Sequence, residues 1–367
     1  MKNILYIGQY YDNNGLGASC KRYIQYLSNN PKYNLAIRPI YVTQNLIAKQ
    51  TSTDTYKEYE VNTFKTYDTL IQHILPEYIE YNSNFGKNIA ITDIETLNIK
   101  HSGWIDKLNL MDEVWTGSQF SANSLISSGL TAPIKIIPEP YNLQTYSNKR
   151  DGFFGYHENP FIFYTIGQYT EKKNIKSIIM AYLLEFNKQD NVKLFIKTYD
   201  HRKTNEDLEH IVKYDMSNIK NIIRKPNDHY PDVDVLCGYL SDNDIIRLHQ
   251  SCDCYINFAR ADSFGDNSIE AALCNSVVIN TKNIGSNTYF NSTNALMINS
   301  TEVPVLCSNT MIKNIFTMYE KWLEPSINEL RTNMRKAYNL SLTQKQELQQ
   351  AFDKEIFSYK FIEKLIP

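Results

Sequence analysis

Nothing in this 367-residue sequence is long and apolar enough to span a bilayer. The best run, Ser177 to Phe186, is short and interrupted, against the ~18 residues a span needs. Charge of one sign is also lacking. Lysine plus arginine number 38 and aspartate plus glutamate 40, a net charge of −2, so no global basic field holds nucleic acid or anionic lipid. Splitting the chain does not uncover one: residues 1–145 carry 12 basic against 13 acidic side chains, leaving 26 against 27. No Cys-x-x-Cys pair occurs. The six cysteines (Cys20, Cys237, Cys252, Cys254, Cys274, Cys307) have no metal-ligand spacing and read as reduced thiols of a cytosolic protein. The seven histidines are scattered, and no tandem repeat or low-complexity tract is present. The opening Met1–Gly8 turns polar too early for a signal peptide and reads as a first strand.

What is present is ordinary globular composition, 42% hydrophobic and 21% charged, enough for sizeable cores. At roughly 100–200 residues per domain the length predicts two or three domains. Short apolar runs alternate with helical patterns, the signature of parallel sheets with crossover helices. In the first half the pattern predicts strands over 3–8, 34–42, 88–92, 113–116 and 134–137. It predicts helices over 18–28, 66–75, 103–111 and 118–128. Pro138-Glu139-Pro140 cannot continue a central strand, and the polar stretch 141–160 reads as an interdomain linker. The alternation restarts with strands over 161–167, 192–199, 233–237, 253–257, 276–280 and 294–298. Helices are expected over 173–187, 205–219, 241–250 and 267–274, and beyond about 308 only helical patterns remain. The fold class is therefore α/β, two doubly wound domains whose facing sheet edges would leave a cleft.

Three segments carry chemistry. Asn13-Asn14-Gly15-Leu16-Gly17 follows the first strand and opens a helix, where glycines admit a close ligand and free N–H groups face it. A plain strand–helix turn fits the same residues. The second is Gly167-Gln168-Tyr169-Thr170-Glu171-Lys172-Lys173-Asn174. Lysines in a first helical turn oppose the macrodipole by ~0.3–1 kcal/mol. Either a bound anion reverses the local sign or the pair is simply solvated. The third runs from Arg260 to Ile279 and places Asp262 on a loop and Glu270, eight residues further, on a helix. Two such carboxylates can grip different hydroxyl pairs of one ligand. Alternatively Asp262 caps the helix and Glu270 makes a surface ion pair. Asn275 suits the left-handed residue that ends this helix.

Taken together, Asp262-Ser263-Phe264-Gly265, Glu270-Ala271 and Asn275-Ser276-Val277-Val278-Ile279 resemble the Glu-Gly-Phe-Gly…Glu-Ala pattern of retaining GT-B glycosyltransferases, family four and relatives. Gly238-Tyr239-Leu240-Ser241-Asp242, Gly167–Asn174, Thr92–Thr96 with Trp104, and Asp112–Phe120 extend the likeness. The resemblance implies two Rossmann-like domains in a GT-B arrangement. The acceptor-side domain would span 1–145 with a returning helix over 342–366, and the nucleotide-sugar domain 155–341. It implies that Glu270 binds the donor ribose, and that Asp262 with the N–H groups of Ser263, Phe264 and Gly265 holds the sugar. Lys173 would neutralise the departing diphosphate and Tyr239 would sit by the nucleobase. Gly15 and Gly17 would close over the phosphates, and Glu95 would orient acceptor or sugar.

Departures from the pattern are Asp for Glu at 262, Gln168 for the usual arginine, and Asn275-Ser276 for Gly-x-Pro. Arg260 is the candidate to replace the missing arginine. The expected reaction is transfer of a hexosyl group from a nucleoside diphosphate sugar, a UDP-sugar favoured over a GDP-sugar. Retention is expected, with no metal because Lys173 can supply the charge. The acceptor is open: a glycan, a small molecule, a protein or a modified DNA base as in phage enzymes. An inactive scaffold that binds nucleotide sugar, and a sugar-nucleotide epimerase, remain as alternatives.

Overall fold

The computed structural model describes residues 1–41, 56–156, 159–305 and 318–366. Cys307 and the helical pattern expected over 308–317 lie outside them. The chain divides into two compact units. The first takes the described residues within Met1–Asn142, Met311–Lys321 and Glu355–Pro367, the second those within Leu143–Thr310 and Trp322–Lys354.

The first unit begins β1 (Lys2–Gly8), α1 (Gly15–Ser28), β2 (Tyr33–Pro39), α2 (Lys57–Glu60), β3 (Thr69–His73), β4 (Lys87–Ile91) and α3 (Trp104–Leu108). It continues with β5 (Glu113–Thr116), α4 (Gln119–Ser127) and β6 (Ile134–Ile136). The strands form one parallel sheet in the order β2-β1-β3-β4-β5-β6. Side-chain alternation supplies both faces with apolar groups. Ile89, Ile91 and Trp115 join a core with Tyr6, Tyr23 and Ile24, while Ala90 and Val114 join another with Trp104, Leu108 and Leu125.

Segment 66–75, expected as a helix, is instead strand β3 between β1 and β4. Leu70, Ile71, Ile74 and Leu75 recur at i, i+1, i+4 and i+5, a spacing shared by helices and by strands buried on both faces. The partner strands decide between the two, a tertiary fact.

The second unit runs α5 (Leu143–Ser147), β7 (Phe161–Gln168), α6 (Ile175–Glu185), β8 (Val192–Tyr199), α7 (Asn205–Ile223), β9 (Val233–Cys237), α8 (Asp242–Ser251) and β10 (Cys254–Asn257). Then come α9 (Asp266–Leu273), β11 (Val277–Thr281), β12 (Leu296–Ile298), β13 (Ser300–Pro304), β14 (Lys321–Pro325), α10 (Ile327–Asn339) and α11 (Leu342–Gln350). Its parallel sheet is ordered β12-β11-β10-β7-β8-β9, and β13 pairs with β14. Strand β14 contradicts the expectation of helices alone after 308. Its short Lys-Trp-Leu-Glu-Pro run becomes a strand because β13 offers it a partner.

Two further expectations change. The stretch 141–160 is no free linker: from Leu143 it packs on the second unit. Gln250 donates to the carbonyls of Tyr146 and Asn148 (3.0 and 2.8 Å), and Arg247 to those of Asp151 and Gly152. Nor is 342–366 one helix. Helix α11 ends at Gln350, and a separate turn, α12 (Tyr359–Ile362), is capped by the Ser358 hydroxyl. Ile362 and Ile366 enter the first unit's core.

Candidate functional site

In each sheet the strand order reverses direction at one point, where neighbouring strands send their following loops to opposite sides and open a crevice. In the second unit that point lies between β7 and β10. The loops leaving those two strands carry Lys173 and Asp262, and their side chains meet, Nζ to Oδ2 at 3.4 Å. Lysines 172 and 173 stand ahead of α6, whose N-cap is Asn174 in the left-handed conformation (φ 55°), and not in its first turn. The macrodipole cost expected of them therefore does not arise, and Lys173 is aimed by the turn. Its aliphatic stem packs over Gly167, where an added Cβ would lie 3.3 Å from Lys173 Cγ.

The Asp262 carboxylate is organised on every side. Oδ1 accepts from the Gly265 N–H (3.0 Å), and Oδ2 accepts from Asn257 Nδ2 (3.1 Å) besides Lys173. One of the three backbone donors expected to hold a sugar, that of Gly265, is thus already turned on Asp262. Phe264 is buried and packs edge-on against Tyr289. Gly265 opens α9 at φ 92°, and a Cβ there would come within 2.4 Å of Ser286 Cβ, so both conformation and space require glycine. Asn275 ends the segment at φ 67°, in the left-handed region as expected.

Glu270 lies on α9 and is 9% exposed, which excludes the surface ion pair. Its Oε1 accepts from the Tyr146 hydroxyl (2.9 Å) and its Oε2 lies 3.3 Å from His249 Nε2. His249 is fully buried on α8, its other nitrogen bonded to Tyr164 (2.8 Å), which in turn donates to Ser276 (3.2 Å). The Tyr146 hydroxyl therefore holds this carboxylate, and the buried His249 ring lies against it. Sequence reasoning missed both, since His249 looks like any helical histidine and Tyr146 falls in the supposed linker.

Tyr239 follows β9, is 44% exposed and leans on Tyr199 at the end of β8, ring centroids 5.0 Å apart. Arg260 does not replace the missing arginine. Its guanidinium forks onto Glu324 and donates to the Glu171 carbonyl (2.7 Å). Gln168 contacts His201 (3.2 Å).

In the first unit the reversal lies between β1 and β3, and the loop after β1 carries Gly15 and Gly17. Gly15 begins α1. The Gly17 N–H donates to the Asn14 side chain (2.9 Å), an N-cap, so it is not turned outward as expected. A Cβ on Gly17 would fall 1.9 Å from the Asp12 carbonyl oxygen, so close backbone packing alone requires glycine. Glu95 is half-buried in the segment after β4. Beside it, Asp93 accepts from Thr116 and from the Gly117 N–H (2.8 Å). At the end of β3, His73 is buried among Tyr6 (2.8 Å to Nδ1), Ser19 and Tyr23. Burial, aided by Arg22, pulls its pKa down to about 3.

Among the described residues no group of three or more His, Cys, Asp or Glu is placed to hold a metal. The two Asp-x-Asp tripeptides have other partners. Asp232 and Asp234 both face Lys193, while Asp242 and Asp244 fill the first turn of α8, whose Ser241 cap bonds Asp244. No helix among the described residues is long and apolar enough to cross a membrane.

No protein-family model matches the sequence, and no curated protein is similar to it. Solved structures are similar over the whole chain. Anabaena Alr3699/HepE, in complex with UDP and glucose, aligns at 13% identity and TM-score 0.67, covering 100% of this chain and 98% of its own. The apo structure of OtsA aligns at 9% and 0.65, covering 100% and 97%. A glycosyltransferase from Rickettsia africae aligns at 14% and 0.62, covering 99% and 96%. The fold is that of the GT-B glycosyltransferases, built from two Rossmann-like α/β units.

Proposed function

We propose that the chain is a glycosyltransferase that moves a hexosyl group from a UDP-sugar to an acceptor hydroxyl, with retention and without a metal. The observation that carries this reading is the Lys173–Asp262 pair on the loops after β7 and β10, at the sheet's reversal point. A cation there meets the charge that grows on the diphosphate as the glycosidic bond breaks. Without donor, Asp262 shares that cation. With donor, the phosphate oxygens compete for it, and the carboxylate, still held by Asn257 and Gly265, turns to the sugar hydroxyls. Glu270, held by the Tyr146 hydroxyl, is a charged acceptor suited to the ribose diol. The similar fold of HepE, in complex with UDP and glucose, supports a uridine nucleotide. The retaining outcome rests on the sequence resemblance, and Glu95 is the first-unit group proposed to orient acceptor or sugar.

The test uses the full chain with UDP, UDP-glucose, GDP-glucose and ADP-glucose. Stabilisation by mass action gives each affinity, and release of UDP with transfer or hydrolysis gives activity. The expected result is tighter binding of UDP-glucose than of UDP, with the difference lost in Asp262→Ala while UDP affinity stays nearly intact. NMR of the anomeric proton in the product reads retention. If every sugar nucleotide binds no better than its bare nucleotide and none is turned over, the chain is a scaffold and the reading fails.

A further inference from the structure

The second unit holds a cation that none of the roles above uses. Lys197 lies within β8, in the run Leu194-Phe195-Ile196-Lys197-Thr198-Tyr199, and is only 4% exposed. Alternation places Leu194 and Ile196 in the core with α6 and α7, and Phe195, Lys197 and Tyr199 on the opposite face. Buried lysines are ordinarily paired with a carboxylate. The recorded partners of this one, among the described residues, are two aromatic rings. Its Nζ lies 4.8 Å from the centroid of Tyr199 and 5.8 Å from that of Tyr239. The nearby buried Asp200 is committed to Arg202 (3.0 Å). Burial lowers the Lys197 pKa to about 8, so the ammonium persists at neutral pH, and among the described residues no carboxylate pairs with it.

Its position in the sheet says what it faces. Gly167, the last residue but one of β7, packs beside Lys173, Thr198 Oγ1 donates to the Gly167 carbonyl (2.8 Å), and the Gly238 N–H donates to the Thr198 carbonyl (2.9 Å). Lys173, Lys197 and Tyr239 therefore belong to three consecutive strand ends, β7, β8 and β9. Two strand spacings separate the first from the last, roughly 10 Å, comparable to the reach from diphosphate to base in a nucleotide. Tyr239 offers an exposed face for stacking a planar ring. An ammonium has three donors and no acceptor, so beside such a ring it satisfies a carbonyl oxygen and repels an amino group.

We propose that Lys197 selects the nucleobase, donating to a ring carbonyl of uracil at the position where cytosine carries its amine. The inference rests on the reading of the site as a uridine diphosphate site and adds which residue selects the base. Tyr239 and Tyr199 stack on or flank the base, and Lys197 reads its edge. A buried donor facing an amine leaves both groups unpaired, which is how a polar site rejects a close analogue.

The experiment measures the affinities of UDP, CDP, GDP and ADP by calorimetry for the full chain, for Lys197→Met and for Lys197→Gln, with the melting temperature of each. The wild type is expected to bind UDP at least about tenfold more tightly than CDP, the scale of a charged hydrogen bond. Lys197→Met removes the cation at similar length, should keep the melting temperature or raise it, and should bring UDP down to the level of CDP. The glutamine, both donor and acceptor, should narrow the ratio from the other side by improving CDP. Equal weakening of all four nucleotides by Lys197→Met, or no change in any, overturns the assignment. So does a wild type that prefers GDP. A wild type that binds no nucleotide refutes the donor-site reading itself, whereas binding without base preference refutes only the role of Lys197.

Discussion

Acidification should destabilise the first unit well before the carboxylates titrate, through His73. Its imidazole is 2% exposed, bonded to Tyr6 at 2.8 Å and set among Ser19 and Tyr23, with Arg22 adding a like charge to the protonated form. In the unfolded chain its pKa is about 6.5; in the folded protein it is about 3. Because folding depresses the pKa, the contribution is fully present above about pH 6.5 and is lost as pH falls toward 3. Between pH 7.5 and 5 the loss amounts to about 2 kcal/mol, at 1.36 kcal/mol per unit below the unfolded pKa. Urea titrations at a series of pH values read this directly. Two of the three tryptophans, Trp104 and Trp115, lie in the first unit's cores, so fluorescence reports on that unit. His73→Gln keeps a polar partner for Tyr6 but does not titrate, and its stability should stay nearly flat over the same range. If wild type and variant lose stability in parallel from pH 7.5 to 5, the buried neutral histidine is not the cause and the argument is wrong.

Glu270→Ala should weaken UDP and UDP-sugar binding together by about 1.5–3 kcal/mol, the cost of losing a charged acceptor; unchanged UDP affinity in calorimetry removes it from the site. Lys173→Ala should depress turnover more than donor binding, because the ammonium acts on charge that develops in the transition state. Lys172→Ala should be milder in steady-state kinetics, and equal losses at the two positions would show that the wrong lysine has been chosen. Gly17→Ala forces a methyl to within 1.9 Å of a backbone oxygen, so the Gln9–Asp12 turn must move. Overpacking of this kind costs about 1–3 kcal/mol or more, and an unchanged unfolding midpoint would show that the turn yields freely.

Local order was written in the sequence wherever one residue type permits one conformation or one period repeats. The α/β alternation, the left-handed Asn275 and a helix after the first strand all follow from such signals, although that helix starts at Gly15, three residues before the expected 18. So did the loops bearing Lys173 and Asp262, since a charged turn after an apolar run marks a strand's carboxyl end. Segments whose pattern fits two structures were decided by their partners. Thr69–His73 is a strand because β1 and β4 flank it, and Lys321–Pro325 because β13 pairs with it. Side-chain company was decided the same way. His249 and Tyr146 reach Glu270 from α8 and from a stretch that composition marks as linker, and contacts 21 and 124 residues apart in sequence leave no local trace. Lys197 is the intermediate case. A lysine inside an apolar strand is visible in the sequence as an anomaly, but only the sheet order, which brings β7, β8 and β9 side by side, sets it beside Tyr239 on the strand ends that follow Lys173.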